Sequence, residues 1–253
     1  MKKVLIIIPA YNEQANISRV IHRIRAVVPD GDILVVDDGS MDATPGIARE
    51  SGCIVLSLPY NLGYGGALQT GFKYAYKNHY DIVVQMDADG QHDPSCIKDL
   101  ICALDEGGYD VIIGSRFLGK GDYKTSLIRR VGMLLFGAVA SLVIRQRVSD
   151  PTSGFQAINS RVIRFFSKGD HYPVDYPDTD VVILLKRAGF RVSEVPVKMH
   201  PRASGKGIHD NILGPIFYIF KMFLSILVVL CRKLPKTATD ERRKEYKTID
   251  YRL

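Results

Sequence analysis

Short apolar runs of strand type alternate with segments of helical apolar spacing over roughly the first 115 residues. The runs are rich in β-branched residues, which is typical of strands buried on both faces of a parallel sheet. Between them, apolar residues recur at helical spacing, as at Ile17, Ile21 and Ile24. This alternation predicts a right-handed, doubly wound α/β sheet. The predicted strands are residues 4–8, 33–36, 54–58, 82–86 and 111–115.

Polar residues follow three of these strands at the point where each strand ends. They occupy positions 11–13, 37–40 and 87–91. Because ligands of doubly wound sheets bind outside the carboxyl ends of the strands, these residues are expected to share one ligand-binding edge. Carboxylates crowded on one edge repel each other unless they bind a cation or form hydrogen bonds to a ligand. A solvated acidic edge without a ligand is the alternative.

The strongest candidate for a metal site is the pair Asp87 and Asp89. In an extended chain the two side chains point to the same side, with Cα atoms roughly 6–7 Å apart. That spacing suits two oxygens that bind one hard divalent cation, and Gly90 lets the chain turn directly afterwards. The competing interpretation is an ordinary acidic turn. His92, a single histidine in a polar loop, is expected to face solvent and is left out of the metal set.

The chain is basic, with a net charge of +7 and an isoelectric point near 9.2 over 253 residues. Such a balance suits an anionic membrane, phosphorylated small molecules or nucleic acid. Because lysine and arginine cluster beside apolar runs and no nucleic-acid motif is found, membrane and phosphate are favoured and nucleic acid is not expected as a partner. The four cysteines form no C-x-x-C pair, which is typical of a reduced, cytoplasmic protein. The apolar run after Met1 is interpreted as the first strand, since it is too short for a signal peptide.

The second half of the chain contains two apolar helical segments. Residues 124–145 have an apolar centre flanked by Arg129 and Arg130 before it and by further arginines after it. Since that centre is too short to span a bilayer, the segment is either a core helix or a helix in the membrane interface. Residues 211–232 are predicted to form an amphipathic helix on the membrane, with a spanning helix as the alternative. The charged tail 233–253 is predicted to be mobile.

Six motifs follow one another along the chain: Ile8-Pro9-Ala10-Tyr11-Asn12-Glu13, Val36-Asp37-Asp38-Gly39-Ser40 with Asp42 and Thr44, Asp87-Ala88-Asp89-Gly90-Gln91-His92, Gly114-Ser115-Arg116, Asp150-Pro151-Thr152-Ser153-Gly154-Phe155 and Glu194-Val195-Pro196-Val197. Together they resemble family 2 glycosyltransferases of the GT-A fold, and in particular the polyprenyl-phosphate sugar transferases of the dolichol-phosphate mannose synthase type. The resemblance covers roughly residues 3–230 in the expected order. It implies a Rossmann-like, mainly parallel sheet flanked by helices, with residues 1–210 as the catalytic domain and membrane-interface helices in the C-terminal half.

The resemblance also implies roles for individual residues. Asp89, Arg116 and Asp180 would be catalytic, although Asp178 beside Asp180 leaves the choice of carboxylate open. The lipid phosphate of the acceptor would bind Arg116 together with Arg129 or Arg130. The metal, Mg2+ or Mn2+, would bind Asp87, Asp89 and Gln91. The UDP- or GDP-linked sugar would contact Pro9, Tyr11, Glu13, Val36, Asp38, Asp87, Ala88, Arg202 and Lys206.

The reaction that the resemblance implies is inverting transfer of a hexose from a nucleoside diphosphate sugar to a polyprenyl phosphate at the cytoplasmic face of the membrane. One alternative is a family 2 transferase that acts on a sugar hydroxyl, for which Asp180 would serve as the base. A nucleotidyltransferase is disfavoured, since residues 9–13 are neither basic nor glycine-rich. The remaining alternative is a non-catalytic membrane scaffold with the same fold. A membrane-protein partner or a homo-oligomer stays open.

Overall fold

The computed structural model describes residues 2–119, 137–138, 141–169, 171–173, 177–200 and 224–232. Within these residues seven strands form one sheet in the order β3-β2-β1-β4-β6-β5-β7. The strands are β1 (Val4–Ala10), β2 (Asp32–Asp37), β3 (Ile54–Ser57), β4 (Ile82–Gln85), β5 (Val111–Ser115), β6 (Gln156–Asn159) and β7 (Val192–Pro196).

Helices cover both faces of the sheet, as the alternating pattern predicts. On one face α1 and α4 pack on the side chains of Ile6, Ile8 and Val84. On the other face α3, α5 and α6 enclose a second core around Phe72 and Phe166. The helices are α1 (Ile17–Val27), α2 (Thr44–Glu50), α3 (Tyr64–Lys77), α4 (Ile97–Glu106), α5 (Ser160–Ser167) and α6 (Thr179–Arg187), with a 3-10 turn at Pro94–Cys96 before α4.

One strand departs from the parallel arrangement. β6 runs antiparallel between β4 and β5, with Gln156 opposite both Gln85 and Ile113. The other paired strands are parallel, so the predicted mainly parallel α/β sheet is confirmed. Because β6 is reversed, the turn that precedes it lies at the carboxyl edge of its parallel neighbours. This places residues 150–155 at the edge where the ligand site is expected.

The predicted membrane-interface helices fall largely outside the described residues. Of these two segments, the structure describes helical residues 137–138 and 141–144, and helical residues 224–231. Within the described part of the chain, no helix combines the length and the apolar character that crossing a bilayer requires. Arg129, Arg130, Arg202 and Lys206 lie outside the described residues, and so does the tail 233–253.

Candidate active site

The sheet register brings the predicted polar segments to one edge. Ala10 at the end of β1 pairs with Asp37 at the end of β2, and Ile7 pairs with Gln85 at the end of β4. The backbone N–H of Asp38 then donates to the carbonyl of Ala10 at 2.9 Å. Residues 11–13, 37–40 and 87–91 therefore leave adjacent strands side by side. Arg116 follows β5 at the same edge of the sheet.

Asp38 organises the loop that leads into α3. Its buried carboxylate accepts hydrogen bonds from the backbone N–H groups of Leu62 at 2.7 Å and Gly63 at 3.0 Å. Burial raises the pKa of Asp38, and these two hydrogen bonds oppose that rise. Gly39 has φ +74°, and a Cβ there would lie 2.9 Å from the carbonyl carbon of Tyr60. The loop that follows β2 and the loop that follows β3 are thus packed backbone to backbone.

Hydrogen bonds also join the loops that follow β1 and β2. The backbone N–H of Asn12 donates to Ser40 Oγ at 2.9 Å, and the backbone N–H of Glu13 donates to Thr44 Oγ1 at 2.8 Å. Tyr11 remains 47% exposed at the rim of this region. Three of the predicted nucleotide-binding residues, Pro9, Val36 and Ala88, are buried.

Residues from two distant parts of the chain approach the carboxylate of Asp87. Tyr64, the first residue of α3, donates its hydroxyl to Asp87 Oδ1 at 2.8 Å. A Cβ on Gly154 would lie 3.3 Å from Asp87 Oδ1 and 2.8 Å from the Tyr64 hydroxyl, so a larger residue there would displace these two side chains. Burial and the charge of Asp87 raise the pKa of Tyr64 well above its usual value. Tyr64 is therefore a hydrogen-bond donor at neutral pH.

His92 is buried, and the expectation that it faces solvent is wrong. Only 3% of the residue is exposed, and its ring stacks on Phe155 with centroids 4.9 Å apart. Its Nδ1 accepts the backbone N–H of Asp87 at 3.1 Å, so the neutral ring carries its proton on Nε2, 3.7 Å from Asp87 Oδ2. No local pattern indicates this burial, because it depends on stacking against Phe155, which is 63 positions away. His92 supports the Asp87 loop from below.

Asp89 lies partly exposed two residues beyond Asp87. Its Oδ1 accepts the backbone N–H of Gln91 at 3.0 Å, while the Gln91 carbonyl accepts the backbone N–H of His200 at 2.7 Å. No group of three or more His, Cys, Asp or Glu side chains is arranged to hold a metal ion in the described part of the chain. Two carboxylates still fit Mg2+ or Mn2+, because such ions take further oxygens from water and from a substrate diphosphate. Asp87, 34% exposed in its side chain, is accessible for that role.

A substitution at Tyr64 tests whether the position of Asp87 matters. We expect Tyr64→Phe to weaken Mn2+ binding by about tenfold, because a hydrogen bond to a charged group is lost. The matched control is Tyr80→Phe, which removes a hydroxyl that donates to Asp32 Oδ2 at 2.7 Å, away from the carboxyl edge. Mn2+ titration followed by electron paramagnetic resonance measures both variants. Equal affinity in the two variants would contradict a positioning role for Tyr64.

Arg116 forms a two-pronged ion pair with Asp150. Its Nε donates to Asp150 Oδ2 at 2.6 Å and its Nη2 donates to Asp150 Oδ1 at 2.5 Å. Thr152 Oγ1 accepts a further hydrogen bond from Nη2 at 2.8 Å. Glu194 on β7 fixes the other side of the turn by accepting the backbone N–H groups of Ser149 and Asp150. The arginine predicted to bind the acceptor phosphate is thus oriented by the turn before β6.

Asp180 is fully buried at the start of α6. Its Oδ1 accepts the backbone N–H groups of Asp178 at 3.0 Å and Val181 at 2.9 Å, and its Oδ2 accepts the hydroxyl of Ser225. Burial raises the pKa of Asp180, and the Ser225 hydrogen bond opposes that rise. Its predicted catalytic role stays a prediction. The choice between the two carboxylates at this position also stays open.

Two buried side-chain oxygens lack hydrogen-bond partners among the described residues. They are Oε1 of Gln85, at the end of β4, and Oγ1 of Thr179, in the first turn of α6. Both residues belong to segments that end or begin beside Asp87 and Asp180. Each oxygen therefore leaves a hydrogen-bonding position unused within two residues of Asp87 or Asp180.

A mainly parallel sheet with paired carboxylates at its carboxyl edge is typical of α/β proteins that bind a ligand at that edge. The model of glycosyl transferase family 2 matches residues 5–166. The chain therefore belongs to glycosyltransferase family 2 and is a glycosyltransferase enzyme. The resemblance found in the sequence motifs is confirmed.

Its relatives include enzymes that act on lipid phosphates. The polyprenol monophosphomannose synthase of Mycolicibacterium smegmatis is 32% identical over 220 residues, which cover 81% of this chain and 80% of that protein. A UDP-N-acetylglucosamine–dolichyl-phosphate N-acetylglucosaminyltransferase of Methanococcus voltae is 30% identical over 78% of this chain and 85% of its own length. The two relatives differ in the sugar that their names specify.

Solved structures share the fold. Glucosyl-3-phosphoglycerate synthase of Mycobacterium tuberculosis, in complex with Mn2+, uridine diphosphate and glucosyl-3-phosphoglycerate, superimposes with a TM-score of 0.65. The two chains are 23% identical, and the match covers 91% of this chain and 80% of that chain. At this identity the likeness supports the GT-A fold.

Proposed function

We propose that the protein transfers a hexose from a UDP- or GDP-linked sugar to a polyprenyl phosphate, with inversion, at the cytoplasmic face of the membrane. The observation that carries the proposal is the shared edge of the sheet. Asp87 and Asp89 lie after β4, the Asp38 loop lies to one side of them, and Arg116 with its Asp150 turn lies to the other. The relatives that use polyprenol and dolichyl phosphates support the acceptor class.

The residue types match the charges of this reaction. A bound Mg2+ or Mn2+ would offset the negative charge that the diphosphate gathers as it leaves. Asp87 and Asp89 supply hard carboxylate oxygens for such an ion, and Tyr64 and His92 keep Asp87 in one orientation. On the acceptor side, the planar guanidinium of Arg116 suits the oxygens of a phosphate. The donor diphosphate would thus meet the metal ion that Asp87 and Asp89 hold, and the acceptor phosphate would meet the positive charge of Arg116.

Burial of Asp180 favours a phosphate acceptor over a sugar hydroxyl. A hydroxyl acceptor needs a general base within hydrogen-bond reach. Asp180 is 0% exposed, and its carboxylate already accepts three hydrogen bonds. A phosphate monoester is largely ionised at neutral pH, since its second pKa is about 6, and it needs no strong base.

A donor and acceptor panel tests the proposal. We expect radiolabel to pass from one UDP- or GDP-sugar into an organic-extractable lipid when undecaprenyl or dolichyl phosphate is supplied, and we expect chelation of divalent ions to stop the transfer. Parallel reactions with free sugars and glycolipids carrying open hydroxyls provide the comparison. Label that enters only the hydroxyl acceptors would replace the proposal with the alternative reaction.

A further inference from the structure

The chain that follows β7 pairs with the Asp87 loop, which comprises residues 87–93. The backbone N–H of Asp93 donates to the Lys198 carbonyl at 3.3 Å, and the backbone N–H of His200 donates to the Gln91 carbonyl at 2.7 Å. An isolated antiparallel bridge lies between these two hydrogen bonds. Because β7 belongs to the seven-stranded sheet, its continuation supports the Asp87 loop from the sheet.

A polar cluster lies where this pairing ends. It consists of Arg23 from α1, Asp93 from the Asp87 loop and His200 from the chain after β7, and we call it the Asp93 cluster. His200 Nε2 lies 3.0 Å from Asp93 Oδ2 and 3.0 Å from Arg23 Nη2, and Arg23 Nη2 lies 3.6 Å from Asp93 Oδ1. Asp93 Oδ1 also accepts the backbone N–H of Ser95 at 3.0 Å. Three segments that are distant in sequence thus meet at one carboxylate.

Asp93 is ionised at neutral pH and acts as the acceptor in this cluster. Burial by itself would raise the pKa of Asp93, but hydrogen bonds from Ser95 and His200 bring that pKa below its ordinary value. Because an ionised carboxylate only accepts hydrogen bonds, His200 carries a proton on Nε2 and donates it to Asp93. The side chain of Asp93 is 16% exposed, so water screens this contact less than one between fully exposed side chains.

The Asp87 loop is therefore held at both of its ends. At its start, Tyr64 donates its hydroxyl to the Asp87 carboxylate. At its end, the Asp93 cluster fixes the pairing in which the Gln91 carbonyl accepts the backbone N–H of His200. Asp89 lies between these two points. A metal ion binds more tightly when neighbouring hydrogen bonds already hold its ligands in the bound geometry.

We propose that His200 is a positioning residue for the metal site: through Asp93 it holds the end of the Asp87 loop, so that the predicted ligands are arranged for a divalent cation before the ion binds. Arg23 ties the same pair of side chains to α1. The proposal deepens the proposed function and rests on it for the presence of a divalent cation. It assigns the binding of the ion to the oxygens of Asp87, Asp89 and Gln91, and the geometry of the loop to His200.

Mn2+ titration followed by electron paramagnetic resonance tests the positioning role. We expect His200→Ala to bind Mn2+ about fivefold more weakly than the wild type, because a hydrogen bond to a charged carboxylate is lost. His200→Gln should bind within about twofold of the wild type, since its amide N–H can donate to Asp93. The matched control is His22→Ala, which removes an exposed histidine of α1 and should bind Mn2+ normally. Affinity of His200→Ala within about twofold of the wild type overturns the proposal, and so does an equal loss in His200→Gln.

Amide hydrogen exchange in the metal-free protein separates the positioning of the loop from a general loss of stability. The amide of Asp93, which donates to the Lys198 carbonyl, should exchange about fivefold faster in His200→Ala than in the wild type. The amide of the buried residue Val84 in β4 is the reference and should exchange at the wild-type rate. Nuclear magnetic resonance measures both rates. An unchanged rate at Asp93, or equal acceleration at both amides, overturns the proposal.

A double variant tests whether His200 acts through Asp93. Asp93→Asn removes the charge that His200 contacts and keeps a side-chain oxygen that can accept the Ser95 N–H. Because two changes at one contact are not additive, adding His200→Ala to Asp93→Asn should weaken Mn2+ binding by less than about twofold. A further loss of about fivefold would show that the two side chains act separately, and it overturns the proposal.

These measurements contain neither a sugar donor nor a lipid acceptor, so they can be told apart from a test of the reaction. Failure of the acceptor panel together with the expected losses in His200→Ala refutes the proposed reaction alone. Normal Mn2+ binding by His200→Ala together with a positive acceptor panel refutes the further inference alone. A wild type that binds no Mn2+ overturns the further inference whatever the acceptor panel gives.

Discussion

Asp89→Ala is expected to abolish sugar transfer and leave the fold intact. Its side chain is partly exposed, and it accepts a hydrogen bond from the backbone N–H of Gln91 within its own loop. Loss of a metal ligand removes several kcal/mol of charge stabilisation in the transition state, and about 1.4 kcal/mol corresponds to tenfold in rate. We expect transfer to fall by at least about a thousandfold on this basis.

The control for this variant is Asp99→Ala, which removes an exposed carboxylate from α4 in the same part of the sequence. Initial rates of transfer, Mn2+ affinity and thermal unfolding are measured for both. Asp99→Ala should retain full activity, and both variants should unfold near the wild-type temperature. Transfer by Asp89→Ala within tenfold of the wild-type rate would contradict a catalytic role for the metal, and so would full wild-type activity in excess chelator.

Asp150→Ala is expected to produce the largest loss of stability. Asp150 is 0% exposed, and the Arg116 side chain with which it pairs is 12% exposed. Removing one partner of a buried ion pair leaves an uncompensated charge, which typically costs about 3–5 kcal/mol. Asp150 also accepts the backbone N–H of Arg116 at 3.0 Å, so the variant loses a further hydrogen bond between the turn before β6 and the end of β5. Urea unfolding measures the change in the free energy of unfolding.

Two further variants separate the ion pair from the general effect of a substitution. Asp105→Ala breaks the exposed pair between Lys2 and Asp105, and it should leave stability nearly unchanged because such pairs are screened by water. Arg116→Met/Asp150→Leu removes both charges, and it should recover part of the stability that Asp150→Ala loses. If the double variant is less stable than Asp150→Ala, the loss does not come from an unpaired arginine.

The order of strands and helices in the first half was predictable from local patterns. The predicted strand at residues 82–86 and the observed β4 (Ile82–Gln85) differ by one residue. Strands that are buried on both faces of a sheet are apolar throughout, and the apolar residues of a helix recur about every 3.6 residues. Both patterns can be read from neighbouring residues, so neither depends on distant contacts. The position of Asp37, Asp38 and Asp87 at one edge was also predictable, because the carboxyl ends of parallel strands lie at the same edge of the sheet.

The reversed strand β6 was not predictable in the same way. Its four residues, Gln156 to Asn159, have no pattern that specifies an antiparallel neighbour. Its direction follows from pairing with β4 on one side and β5 on the other. This direction brings Gly154 against Asp87 and Asp150 against Arg116, so it sets the geometry of both halves of the candidate site.

The amino-acid sequence by itself determined the layered α/β architecture, the family and the edge that carries the carboxylates, because periodicity and strand ends are local properties. Only the tertiary structure determined which residue forms the hydrogen bond or ion pair with each polar side chain of the candidate site. Tyr64 and Asp87 are 23 positions apart, Arg116 and Asp150 are 34 apart, and Asp180 and Ser225 are 45 apart. Such contacts form when separate elements pack together and bury polar groups that must then find a hydrogen-bond partner. No spacing rule in a single chain encodes that choice.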